Sequence, residues 1–72
     1  MVEYVDVLNN IDILKKGEKV YIIYGEGGAD QYEGFVESIT DRHLTILDYV
    51  PDIYRTFNRE SIVEISIVKY TV

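Results

Sequence analysis

The chain has no cysteine, few basic residues and no long apolar run. Without cysteine, neither a disulfide framework nor a thiolate metal site can form. A chain of 72 residues removes only about 60% of its unfolded surface from water when it folds, so its own core is small. We therefore expect a homo-oligomer, in which neighbouring copies bury further apolar surface.

Basic residues are scarce. Seven lysine and arginine residues stand against thirteen aspartate and glutamate residues, which gives a net charge of -6. Proteins that bind duplex DNA or an acidic membrane surface normally carry a positive face. We therefore expect no duplex-DNA partner, and any nucleic-acid site must be local.

Long apolar stretches are also missing. None approaches the roughly 20 residues that a helix needs to cross a bilayer. The first ten residues, MVEYVDVLNN, are acidic and lack the basic and apolar regions of a signal peptide. We expect no membrane association and a soluble protein of the cytoplasm.

What the chain does contain is β-forming sequence. Residues 2–10 have a helix-like apolar spacing, which predicts one short N-terminal helix. Five stretches rich in β-branched and aromatic residues follow, at 19–24, 31–39, 43–50, 52–58 and 61–70. Short polar separators favour consecutive antiparallel hairpins, and Gly34 inside the second stretch permits a sharp bend. The sequence predicts one domain over 1–72: an all-β, five-stranded, strongly bent antiparallel barrel at about 18–70, after the helix.

Three short motifs accompany this order of elements. Asp6-Val7-Leu8-Asn9 ends the predicted helix, Gly34 is followed by the turn Asp41 to Thr45, and Arg59 precedes the last strand. In these motifs and in its order of elements the chain resembles an Sm-like protein, whose fold is an SH3-like barrel. The resemblance implies a homo-oligomeric ring in which the fourth strand pairs with the fifth strand of a neighbour. It also implies that single-stranded RNA binds at the turns on the pore side.

The same resemblance implies roles for five residues. His43 would stack on a base, Asp41 would hold the turn, and Arg42 would add a cationic group. Thr45 occupies the position of a base-reading asparagine, but one hydroxyl offers a weaker contact than an amide. Arg59 would cover the opposite face of the base or a phosphate. Each residue also has an ordinary interpretation, as a polar turn residue or a solvated surface charge.

A second function stays open. The acidic total charge, Thr45, and Glu60 at a position where the family has glycine favour an SH3-like barrel that acts as a protein-interaction or assembly module without nucleic acid. The segment GEGGAD lacks the lysine and hydroxyl residue of a phosphate-binding loop. With one histidine and scattered carboxylates, no catalytic or metal-ligand spacing is recognisable. We expect no enzymatic activity, no cofactor and no bound metal.

Overall fold

The fold is a single antiparallel sheet of six strands in the order β1-β6-β2-β3-β4-β5. The computed structural model of the chain describes residues 1–71. Its strands are β1 (Val2–Asp6), β2 (Lys19–Tyr24), β3 (Asp30–Ile39), β4 (His43–Asp48), β5 (Ile53–Asn58) and β6 (Ile62–Tyr70). Short 3-10 helical segments lie at Leu8–Ile13, Glu26–Gly28 and Arg59–Ser61. The predicted all-β antiparallel class is confirmed, and the five predicted strands are β2 to β6.

The predicted N-terminal helix over residues 2–10 is wrong. Val2–Asp6 form β1, which pairs antiparallel with residues 66–70 of β6, and the 3-10 segment begins only at Leu8. A helix of this length is marginal in water. A strand beside β6, in contrast, satisfies the backbone hydrogen-bonding groups of both segments. Within residues 1–71, no helix has the length and apolar character needed to cross a membrane.

β3 is shared between two pairings. Its first half pairs with β2 and its second half with β4, with a register shift between Val36 and Ser38. Gly34 lies where the two pairings meet, and an added Cβ would collide with the backbone carbonyl of Leu47 in β4. Only glycine allows so close an approach of the two strands. The structure thus gives Gly34 a steric role, and the sharp bend expected from the sequence stays a prediction.

The core lies on one face of the sheet, here called the inner face. Its fully buried members are Val20, Ile22, Leu44, Ile46 and Ile65. The segment between β1 and β2 adds three buried side chains to the same cluster, those of Val7, Ile11 and Leu14. The N-terminal segment therefore helps to form the core.

The sheet curls around its inner face. Tyr24 of β2 and Tyr32 of β3 both pack against Phe57 of β5, with ring centroids 4.8 and 5.1 Å apart. β2 and β5 are not neighbours in the strand order, so only a curled sheet brings these rings together. The curl also places the Tyr24 hydroxyl beside Asn58, whose backbone N–H donates to it at 3.2 Å. This hydrogen bond ties the end of β5 to β2 across the curled sheet.

Candidate nucleic-acid interface

The turn between β3 and β4 is closed by Thr40 and His43. The Thr40 N–H donates to the carbonyl of His43 at 2.9 Å, and the His43 N–H donates to the Thr40 hydroxyl at 3.0 Å. The side-chain support that the sequence assigned to Asp41 thus comes from Thr40. Asp41, Arg42 and His43 are all exposed at the tip of this turn.

Four of the five predicted site residues meet in one surface groove, here called the His43 groove. It has a volume of about 460 Å³ and is lined by Asp41, Arg42, His43, Asn58, Arg59, Glu60 and Ser61. The pairing of β4 with β5 builds it: His43 lies opposite Asn58, and the Arg59 N–H donates to the carbonyl of Arg42 at 2.8 Å. Two turns that are distant in sequence are therefore held side by side.

Arg59 forms one wall of the groove and is tied to two other segments. Its Nη1 donates to the Asp12 carboxylate at 2.8 Å and to the carbonyl of Thr40 at 2.7 Å. Only 20% of its side chain is exposed, against 78% for Asp12. The guanidinium therefore fastens the 3-10 segment to the turn, and a carboxylate already compensates part of its charge.

Arg42 differs from Arg59 in its surroundings. Its side chain is exposed, and none of the ion pairs found within residues 1–71 includes it. A solvated guanidinium can bind a phosphate in a bidentate geometry. Asp41 and Glu60 line the same groove, so the local charge is balanced rather than positive.

Thr45 does not line the His43 groove. Its hydroxyl is 2.9 Å from the hydroxyl of Thr56, its partner in the β4–β5 pairing. The Thr45 side chain lies two residues along the strand from His43 and is half-buried. Thr45 is therefore the one predicted site residue that lies outside the His43 groove.

Asn58 takes a place in the groove that the sequence did not assign. Its side chain is exposed directly across the ladder from His43 and carries both a donor and an acceptor. A signal for it existed, since counting residue pairs outward from the short connection 49–52 places residue 58 opposite residue 43. The Sm-like motif points to Thr45 for this role instead.

A second polar cluster lies on the opposite face of the sheet, here called the outer face. The Lys19 ammonium donates to the Tyr70 hydroxyl at 2.6 Å, lies over the rings of Tyr49 and Tyr70, and is 3.7 Å from Glu33. The hydrogen bond to Tyr70 is the main cause that raises the pKa of Lys19, against the opposing effect of burial. With 15% of its side chain exposed, this lysine is engaged within the chain.

Within residues 1–71, no three histidine, aspartate or glutamate side chains come together to hold a metal ion. The arrangement that remains is a solvent-facing imidazole, an amide and a guanidinium around one groove. Comparison with known proteins finds no matching family model and no significantly similar curated protein or solved structure.

Proposed function

We propose that this chain is a cytoplasmic Sm-like protein that forms a homo-oligomeric ring and binds single-stranded RNA in the His43 groove. The observation that carries the proposal is the meeting of His43, Asn58 and Arg42 at one solvent-facing site. An imidazole ring can stack on an unpaired base, an amide can read a base edge, and a guanidinium can hold a phosphate. A single-stranded nucleotide is a ligand that uses all three groups.

The roles within the groove follow from the contacts. His43 stacks on the base, and Asn58 supplies the polar contact that the sequence assigned to Thr45. Arg42 contacts phosphate, whereas Arg59 is a positioning residue because Asp12 and Thr40 already hold it. Asp41 and Glu60 repel phosphate, and salt screens this repulsion as well as the attraction to Arg42. With a single phosphate contact, the affinity is therefore expected to fall only modestly as the salt concentration rises.

The test is binding of short labelled U-rich and A-rich RNAs by fluorescence anisotropy, at low and moderate salt, with the assembly mass measured in parallel. His43→Ala is expected to weaken binding about tenfold, within the range of one stacked base. His43→Phe retains a ring and is expected to keep most of the affinity. Absence of RNA binding at low salt, or equal affinity of His43→Ala and the natural chain, contradicts the proposal.

A second function has its own support in the charge of the groove. Asp41 and Glu60 balance Arg42 and Arg59, and Arg59 is paired with Asp12. Such a surface suits a protein-interaction or assembly module without nucleic acid. The same experiment separates the two, because an assembly that forms but binds neither RNA indicates the module.

A further inference from the structure

Both terminal strands of the sheet have an open edge. Within residues 1–71, β1 pairs only with β6 and β5 pairs only with β4. Natural sheets usually protect such edges with charged side chains, proline or a bulge. β1 reads VEYVD and β5 reads IYRTFN, so each carries a charge, but neither contains proline and neither pairing has a register shift. Large exposed apolar side chains lie on both strands: Val2, Tyr4, Val5, Ile53 and Tyr54. These edges can therefore accept another strand.

The edge of β6 is not equally available. β1 covers it over residues 66–70, so the predicted pairing of the fourth strand with the fifth strand of a neighbour meets an occupied edge there. The intact chain presents β1 at that position instead. An assembly that extends the sheet of the folded chain at this end therefore uses the outer edge of β1.

We propose that β1 of one copy pairs antiparallel with β5 of the next copy, so that copies join head to tail. All neighbouring strands in the sheet are antiparallel, and β1 and β5 are first and sixth in the order, so they run in opposite directions. A neighbour in the same orientation consequently continues the antiparallel sheet. This contact specifies the interface of the proposed homo-oligomer and does not depend on RNA.

The hydrogen bonds show which backbone groups of β1 face outward. Met1 bonds to Thr71, and Val7 bonds to Ile65, both across the β1–β6 ladder. Because bonded pairs alternate in an antiparallel ladder, the odd-numbered residues of β1 bond to β6. The N–H and C=O groups of Val2 and Tyr4 therefore point toward the open edge.

The same alternation applies to β5. Arg59 bonds to Arg42 across the β4–β5 ladder, so the odd-numbered residues of β5 bond to β4. The backbone groups of Tyr54 and Thr56 then face the open edge. Asn58 follows the same rule, since its N–H points away from β4 and donates to the Tyr24 hydroxyl.

One register satisfies these groups and matches the side chains. Tyr4 opposite Tyr54 and Val2 opposite Thr56 pair the outward N–H and C=O groups of both strands. This alignment places Glu3 opposite Arg55 and Val5 opposite Ile53, which joins opposite charges and apolar surfaces. Shifting β1 by two residues toward Asn58 is unfavourable for two reasons. The new register needs the Asn58 N–H, which already donates to the Tyr24 hydroxyl, and it places Val5 opposite Arg55.

Arg55 can receive Glu3 without losing its present partner. Its Nε donates to Asp48 at 3.0 Å, and 34% of its side chain is exposed. A guanidinium has five N–H donors, so others remain for a second carboxylate. The two edges are therefore complementary in backbone direction, in hydrogen-bonding pattern and in charge.

The first test measures the assembly of the full chain by sedimentation and light scattering across a concentration series. We expect Glu3→Arg and Arg55→Glu each to weaken association about fivefold or more, and the double variant to recover it. Glu26→Arg makes the same charge change in the exposed segment after β2 and should leave association unchanged. Because Arg55→Glu also loses the ion pair with Asp48, the decisive result is the recovery in the double variant.

The second test concerns the backbone. Tyr4→Pro removes an N–H that faces the open edge and takes no part in the β1–β6 ladder. Tyr4→Val loses the same phenol ring but keeps the N–H, so it is the matched control. We expect assembly to be lost with proline and retained with valine, while circular dichroism and thermal unfolding show that both variants fold.

A natural chain that stays monomeric, or an assembly that none of these edge variants weakens, overturns the proposed contact. His43→Ala lies on neither edge, so its effect on RNA affinity reports on the proposed function alone. The edge variants therefore test the strand contact, and His43→Ala tests RNA binding, so failure of one proposal can be distinguished from failure of the other.

Discussion

His43 and Asn58 lie directly opposite each other in the β4–β5 ladder, at the end where the two strands meet the turns that bound the His43 groove. Both side chains are exposed. The ladder fixes the separation of their backbones, so the ring and the amide start from neighbouring positions on the same face of the sheet.

This relationship predicts the effect of changing Asn58. Asn58→Ala is expected to weaken RNA binding by about 0.5 to 1.5 kcal/mol, the value of one hydrogen bond. Asn58→Asp should weaken it further, because a carboxylate repels phosphate. Asn9→Ala, an exposed asparagine outside the groove, is the control. If anisotropy titrations give Asn58→Ala the same RNA affinity as Asn9→Ala, the Asn58 amide does not contact the RNA.

The two hydrogen bonds of the Arg59 side chain predict that removing Arg59 lowers the free energy of unfolding more than removing its partner Asp12. Arg59→Ala removes hydrogen bonds to both Asp12 and Thr40 and is expected to lower the free energy of unfolding by about 1 to 2 kcal/mol. Asp12→Ala removes only the ion pair, whose carboxylate is largely exposed to solvent, so the expected loss is at most about 1 kcal/mol. Urea unfolding of both variants measures the difference. Equal losses would show that the bond to the Thr40 carbonyl contributes nothing.

Gly34 predicts a steric cost. In Gly34→Ala the new methyl group meets the carbonyl of Leu47, so β3 and β4 must move apart. We expect a loss of about 1 to 3 kcal/mol in the free energy of unfolding, as for other overpacked sites. Ser38→Ala, an exposed position on the same strand, should change it little. Unfolding of Gly34→Ala at the natural midpoint would contradict the close approach.

The hydrogen bond between Lys19 and Tyr70 predicts that removing the Tyr70 hydroxyl lowers the pKa of Lys19. The hydrogen bond from the ammonium to the Tyr70 hydroxyl favours the charged form and raises the pKa of Lys19 above 10.5. Tyr70→Phe removes the acceptor, so the pKa should fall toward that ordinary value. Titration of the Lys19 Cε chemical shift by NMR measures it, with Lys16 as the internal comparison. An unchanged Lys19 pKa in Tyr70→Phe would contradict the assignment.

The raised pKa of Lys19 also predicts how the stability of the fold changes with pH. Because the folded-state pKa is raised, the contribution of Lys19 is fully present below pH 10.5 and is lost as the pH rises through the folded value. The excess stability of the natural chain over Tyr70→Phe should therefore hold at neutral pH and shrink at strongly alkaline pH. Chemical unfolding at a series of pH values tests this sign.

Local sequence patterns are sufficient to predict the strands β2 to β6, to within a few residues at their ends. Runs of β-branched and aromatic residues separated by short polar connections leave few alternatives to consecutive hairpins. The sequence also indicated the turn Asp41 to His43, because a turn depends on residues near it in the chain. For Gly34 it predicted a bend, whereas the close approach to Leu47 is visible only in the structure.

Tertiary structure alone decided the rest. The segment Val2–Asp6 fits a helical spacing, and its strand form depends on β6, which lies at the other end of the chain. Arg59 is 47 residues from Asp12 in the sequence and reaches it only because the fold brings the 3-10 segment Leu8–Ile13 next to the end of β5. Local propensity contains no information on such partners, since the free energy that selects them arises when distant strands pair and exclude water.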